Sequence, residues 1–360
     1  MSVLAAISVL AVLIVVHELG HFAAARLQGI RVAQFSIGFG PALLKYQGKE
    51  TLYALRLFPL GGYVGFPDDE DQDKNQEKYF SLDDPDLMRN RPIWHRAIVI
   101  SAGVIANLIF AYFLLVVQIN VVGIPKVSPG VAIPQIINPQ ESVAAKAGIE
   151  AGDIVLAVNQ NTLGSSSESL AQFRDTVQNS PEVPLRITLQ RGDKKITLEV
   201  TPEKTVEGEG KIGVVLSPNV EVIRSKGILQ SLTMAAGAFV NIVLLTVQGF
   251  WQLISNFSEN IGQVAGPVKI VEYGASIAKD NLSNLYQFAA LISINLAIIN
   301  ILPLPALDGG QLLFLVLEGM RGKPLPDGIQ NNIMQTGLFL LLGLGVFLIV
   351  RDTLTLSVFQ

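Results

Sequence analysis

The chain has 360 residues, half of them apolar and only 16% charged, with a net charge of −4 and a mean hydropathy of +0.45. Soluble domains carry about 25% charged residues, so this composition points to a membrane protein, and no long basic run offers a face to nucleic acid. Cysteine is absent, which excludes disulfides, iron–sulfur clusters and thiolate zinc sites, and histidine is limited to His17, His21 and His95.

Met1 to about Leu27 is nearly all apolar, broken by His17, Glu18 and His21. Its length fits a bilayer-spanning helix of about 20 residues. A cleaved signal peptide fits less well, because no Lys or Arg precedes the apolar run and the run continues through the polar triplet. Phe35 to Phe58 has strand-like runs around a Gln47-Gly48-Lys49 turn and leads into the glycine-rich Pro59–Phe66. Asp68 to Asp86 is acidic and reads as a solvated loop. Ala97 to about Val122 is a second span. Val127–Lys204 is polar, with short alternating strands and a helical stretch near Glu168–Gln178, as expected of a small soluble domain. Ile228–Ile254 has no charge. Leu285–Leu302 and Ile333–Val350 are further spans.

His17-Glu18-Leu19-Gly20-His21 is an H-E-x-x-H motif. On a helix, residues four apart share a face, so both imidazoles can reach one zinc ion with the Glu beside it as general base. Zinc brings the pKa of a bound water to roughly 7, and Glu18 can take a proton and later give it to a leaving amine. Each ionisable group costs on the order of 2.5–3.5 kcal/mol or more at the bilayer centre, so such residues are functional by default. A catalytic zinc needs a third protein ligand. His95 sits in the basic entrance of the second span and reads as interfacial. Asp308 follows two helix-breaking prolines and precedes Gly309 and Gly310. Irregular backbone at membrane depth must line a protein cavity, which makes Asp308 a ligand candidate; a helix-capping Asp after a Pro-rich turn has the same local pattern.

Together these residues resemble the site-2 protease family of intramembrane metalloproteases, in its RseP-like branch. The resemblance covers nearly the whole chain and rests on the H-E-x-x-H helix and on Asn300–Gly310, which matches an N-x-x-P-x-x-x-L-D-G-G signature. It implies zinc held by His17, His21 and Asp308, Glu18 as catalytic base, and Asn300 supporting substrate or transition state. Ser101–Asn107 looks like the family's A-G-P-x-A-N element, with Val104 in place of Pro, and gives Asn107 a supporting role. Phe35–Phe66 looks like a membrane-associated β-hairpin with a G-Y-V loop. It assigns Gly62 and Tyr63 to substrate, since a protease must hold its peptide extended and a strand edge can do so. Val127–Lys204 resembles one PDZ domain of the circularly permuted type, on the stretch Ser142–Asn159. The prolines of Pro129–Pro134 would disfavour strand pairing there, which leaves a size filter as an equal alternative to peptide binding.

If one zinc joins the first and third spans, these must run the same way, and the chain between the second and third must cross the membrane an even number of times. Thr233, Gly237, Asn241, Gln248 and Gln252 form a narrow polar stripe on Ile228–Ile254, as on a helix lying on the membrane or against the spans. The expected fold is therefore a polytopic α-helical membrane protein of four transmembrane helices with a membrane-associated β-hairpin and one inserted α+β PDZ domain. Its parts are an N-terminal membrane half (1–124), the PDZ domain (125–205), an amphipathic-helix region (206–284) and a C-terminal membrane half (285–360). Arg26, Arg31, Arg89, Arg91, Arg96, Arg321 and Lys323 place their loops in the cytoplasm, with the PDZ domain outside, as in a bacterial inner membrane. The expected activity is hydrolysis of peptide bonds in or near transmembrane segments of membrane-bound substrates. The alternative is a catalytically inactive PDZ receptor or a zinc-holding scaffold. The spans lack the run of carboxylates and histidines that a zinc transporter needs.

Overall fold

The computed structural model describes residues 1–67, 84–165, 167–256, 262 and 264–355. The expected acidic loop therefore falls almost wholly outside the described residues. The elements in chain order are α1 (Ser2–Leu27), β1 (Gln34–Gln47), β2 (Leu52–Gly65), α2 (Ile93–Val121), β3 (Ile124–Ile136), α3 (Val143–Lys146), β4 (Ile154–Val158), β5 (Asn161–Thr162), α4 (Ser167–Gln178), β6 (Leu185–Arg191), β7 (Lys194–Val200), β8 (Glu203–Lys204), β9 (Gly210–Lys211), β10 (Val214–Ile223), α5 (Ile228–Ser255), α6 (Pro267–Asp280), α7 (Leu285–Ile301), α8 (Asp308–Arg321) and α9 (Asp327–Leu354). They form two compact units: Met1–Val122 with Ser225–Gln360, and Gly123–Arg224.

In the first unit, five helices among the described residues are long and apolar enough to cross a membrane: α1, α2, α5, α7 with the turn before it, and α9. Their outward side chains are apolar, including Ile109, Phe113, Trp251, Phe339 and Phe347, each more than half exposed. Such a surface suits lipid as solvent. Helices α1 and α2 run antiparallel, and Gly20 lets α1 press against Ala102 and Ala106, the close approach that small residues permit between helices in lipid. Helix α7 runs parallel to α1: Gly274 of α6 packs on both Ala6 and Phe288, while His17 meets Asn300 at 3.4 Å.

These contacts define two ends of the bundle. At the first, Gln28 donates to the His95 carbonyl, Arg96 pairs with Glu318, and Ile93 lies beside Gly319. The connection from α1 to α2 and the end of α8 therefore share that end. At the second, the last turn of α9 clasps α6. Asp352 accepts from the Lys269 backbone N–H at 3.1 Å, and Arg351 donates to the Val264 carbonyl.

Helix α5 also starts at the second end, where Ser231 donates to Asn120 (2.9 Å) and Tyr112 donates to the Leu232 carbonyl (3.0 Å). It then runs obliquely across the bundle to Thr246, whose hydroxyl donates to Asn295 at 3.0 Å. By Val264 the chain is back at the second end. The segment from α5 through α6 thus begins and ends on one side. Ser231 and Ala235 form the packed face of α5, and the residues of the polar stripe are turned outward.

The expected hairpin is a more elaborate sheet. The Gln47–Leu52 end pairs antiparallel as a hairpin should, with Lys45 opposite Ala54 and Tyr46 opposite Tyr53. Both strands then bend. Gln34–Ile37 lies parallel beside Leu52–Leu55 on one side and antiparallel to Gly62–Gly65 on the other. The glycine-rich loop is therefore part of the sheet.

The second unit is a sheet of order β10-β3-β4-β6-β7, with β5 beside β4, covered by α4. Alternate residues of the strands and Phe173 of α4 fill its core with Val131, Ile133, Val155, Ile187 and Leu189. Two expectations are corrected here. The unit extends to Arg224 instead of ending at 205, because β10 pairs along β3 from Val214–Ile136 to Ile223–Ile124. The proline-bearing strand β3 is internal, and the edge strands are β10 and β7, with Pro218 of β10 at a register shift. The prolines act elsewhere: β3 meets β4 through only Val131–Val155 and Ala132–Ile154.

Asp153, 1% exposed, closes this unit near β6. Burial alone would raise its carboxyl pKa. Two bonds from Arg191, at 2.8 and 2.9 Å, and one from the Glu150 N–H outweigh burial and hold it below the usual range. A carboxylate whose folded pKa lies below its unfolded value of about 3.9 adds stability above that pH and loses it as pH falls through the folded value. We predict that Asp153→Asn in the whole protein speeds amide exchange across residues 123–224 at pH 7. The difference from wild type should shrink as pH is lowered below about 4.

Candidate metal centre

His17 and His21 lie one turn apart on α1, their rings edge to face at 4.8 Å between centroids. Asp308 reaches them from the start of α8. The chain leaves α7 at Leu302, passes Pro303 and Pro305, takes a left-handed residue at Ala306 (φ 68°) and re-enters helix at Asp308. Gly309 and Gly310 make this possible, since a Cβ on either would strike the carbonyls of Ile301, Leu302 or Leu304. The cap position of this helix is Leu307 and Asp308 is its first residue, so Asp308 does not occupy the capping position. As the first residue of α8 its negative charge still meets the positive end of the helix dipole.

Three ligand atoms converge. His17 Nε2 and His21 Nε2 are 3.3 Å apart, and each is 3.4 Å from Asp308 Oδ2. His21 Nδ1 lies 2.8 Å from the Val99 carbonyl, which holds the ring proton on Nδ1 and leaves an electron pair on Nε2. Asp308 Oδ2 is buried with no hydrogen-bond donor. Lone pairs thus face one another across a gap that only a cation satisfies. Zinc bonds to imidazole and carboxylate run about 2.0–2.2 Å, and a tetrahedron of such bonds has edges of about 3.3–3.5 Å. The three residues therefore fit zinc as they stand. They are the one group of three potential ligand residues found among the described residues.

Around them, Gly103 of α2 faces both rings, and a Cβ there would overlap His21 Nε2 and come within 2.7 Å of His17 Cε1. Asn300 presents its amide nitrogen 3.4 Å from His17 Nε2. Gly62 abuts Glu18, with a Cβ position 2.8 Å from Glu18 Cγ, so the sheet meets the metal motif at the Glu. Tyr63 is held instead by Arg56, which donates to its hydroxyl (3.4 Å) and lies over its ring. Asn107, expected to support substrate, is fully buried behind His17 and faces the imidazole's far side. His95 stands apart at the first end of the bundle, its ring against Trp94. Sequence reasoning missed Gly103, the Val99 carbonyl and Ser293, whose hydroxyl donates to the Asn107 carbonyl at 2.8 Å. The four-residue step from Gly103 to Asn107, equal to that from His17 to His21, was the available signal.

The family model described as peptidase family M50 matches residues 5–344. The chain belongs to peptidase family M50. Similar proteins include slr1821 of Synechocystis sp., which carries a provisional zinc metalloprotease name (61% identical over 100% of this chain and 96% of the relative). The chloroplastic membrane metalloprotease ARASP of Arabidopsis thaliana is 45% identical over 99% of this chain and 79% of its own. The regulator of sigma-W protease RasP of Bacillus subtilis is 29% identical over 90% and 91%. A solved PDZ domain of an SdrC-like protein from Listeria monocytogenes matches 24% of this chain and 86% of its own, at 22% identity and a TM-score of 0.21. As an M50 member the protein is an integral membrane zinc metalloendopeptidase that cleaves peptide bonds in or near transmembrane segments.

Because Gly103 leaves the space the metal and its ligands need, we predict that Gly103→Ala lowers zinc affinity by about 100-fold or more, as a displaced ligand would. Chelator competition on the purified protein, with zinc measured by atomic absorption, checks this.

Proposed function

We propose that His17, His21 and Asp308 hold the catalytic zinc, that Glu18 is the general base and acid, and that Asn300 and the Gly62–Tyr63 strand bind the substrate backbone. The observation that carries this reading is the 3.3–3.4 Å triangle of ligand atoms around a buried carboxylate oxygen without a donor. Zinc, when bound, supplies a Lewis acid and an activated water. Glu18, on the same helix and beside Gly62, takes the proton released as the peptide carbonyl is attacked and returns it to the leaving amine. The Asn300 amide donates toward the oxygen on which charge develops. The sheet at Gly62 supplies backbone partners for an extended peptide, which a transmembrane helix becomes only once unwound.

Four helices, α1, α2, α7 and α9, cross the membrane in this reading, and α5 with α6 forms a membrane-associated region that starts and ends at the second end. The return of the chain to that end by Val264 supports it. The basic loops then face the cytoplasm, and the Gly123–Arg224 unit faces outward in a cell inner membrane, with zinc toward the cytoplasmic side. That unit acts as a PDZ domain, taking extended peptides at the β10 edge or limiting substrates by size. Substrates are membrane-bound regulators already trimmed by another protease. The sigma-W name of the Bacillus subtilis relative is in keeping with this.

Glu18→Gln should lower cleavage of a membrane-tethered reporter by about 10²–10⁴-fold, the usual worth of a general base, with zinc content unchanged. His17→Ala, His21→Ala and Asp308→Ala should each lose zinc. Full cleavage by Glu18→Gln, or full zinc in Asp308→Ala, overturns the reading. Single cysteines introduced at Lys279 and Lys195, in a chain that has none of its own, should react with an impermeant thiol reagent from one face, and one at Lys323 from the other.

A further inference from the structure

The reading above leaves Asn107 without a task, and its surroundings supply one. Its side chain lies at 0% exposure on α2 with Nδ2 3.4 Å from His17 Nδ1 and with no donor for its Oδ1. If His17 uses Nε2 toward the metal, the neutral ring carries its proton on Nδ1. An amide NH₂ then faces an N–H while the amide oxygen faces nothing. The amide is nearly symmetric in shape, and turning it by 180° exchanges Oδ1 and Nδ2 without moving the chain. The oxygen then accepts from His17 Nδ1, and no existing bond is lost at the other position. The Gly103 carbonyl also approaches the ring, but the hydrogen-bond contact of His17 Nδ1 is with the Asn107 amide. Ser293 fixes the Asn107 peptide from α7, donating to its carbonyl at 2.8 Å.

We infer that Asn107 is a positioning residue: its amide oxygen accepts the His17 Nδ1–H, sets the tautomer and aim of that ring, and so tightens zinc binding without touching substrate. The inference rests on His17 being a zinc ligand. Outer partners of this kind are worth about 10–100-fold in metal affinity.

The test uses the full-length protein purified in detergent, comparing wild type, Asn107→Leu, Asn107→Asp and His17→Ala. Zinc retention is titrated with a chelator, and thermal unfolding is followed with and without added zinc. Asn107→Leu should hold zinc about 10–100-fold more weakly and gain less melting temperature from zinc, while its metal-free form melts near metal-free wild type. Asn107→Asp keeps an acceptor and should hold zinc at least as well as wild type. Zinc retention by Asn107→Leu equal to wild type, with zinc lost from His17→Ala, overturns the inference alone. So does a lowered melting temperature confined to the metal-free form, which marks a purely structural role. Should Asn107→Leu fail to fold, a folded Asn107→Asp that loses zinc overturns it instead. Zinc retained by His17→Ala removes the underlying reading.

Discussion

Everything in the membrane unit is arranged around three electron-pair donors that repel one another unless a cation joins them. Two imidazole nitrogens and a carboxylate oxygen sit at the edge lengths of a zinc tetrahedron, in surroundings where each polar group is costly. They come from α1 and from the start of α8, residues nearly three hundred positions apart. Bringing them together fixes the parallel run of α1 and α7, the reversal after Leu302 and the small residues where helices touch. Glycines appear where a backbone or a ring must come close: Gly20 against Ala102, Gly103 against the imidazoles, Gly309 and Gly310 against the end of α7.

Much of this was legible in the sequence because the membrane simplifies the code. Long apolar runs mark helices, and a polar residue inside one stands out; His17, Glu18, His21 and Asp308 were all visible in that way. The expected parity of crossings rests on the same residues. What stayed hidden depended on pairing or phase. The sheet around Gly62 uses the same two runs twice, once parallel and once antiparallel, and local alternation does not reveal a partner. Strand β10 lies beyond a boundary that composition suggested at 205, because its membership depends on a ladder with a strand about ninety residues earlier. Helix α6 is short and carries Lys269, Glu272, Lys279 and Asp280, so no hydropathy signal announces it. Asn107 was noticed for its motif, but only burial shows which side of His17 it stands on.

The two units show different means of holding charge. In the membrane unit Arg96 and Glu318 bind each other at the bundle's first end, and together they anchor α2 to α8, the helix that carries Asp308. In the Gly123–Arg224 unit Arg191 gathers Asp153, Glu150 and the Gly148 carbonyl in one fan of bonds. The first links elements far apart in sequence; the second pins the loop before β4 to the end of β6. Both use the forked geometry of arginine, which a lysine would not reproduce.

The clasp between Asp352 and the first turn of α6 has a consequence for the order of assembly. Helix α6 is synthesised before α7 and before Asp308, yet the carboxylate that accepts its Lys269 N–H belongs to the last turn of α9. The proposed ligands are therefore all synthesised before the residue that tethers the start of α6. Helix α6 has Ala6 of α1 to pack on from the start and Phe288 of α7 soon after, while the bond that fixes its first turn waits for the last helix of the chain.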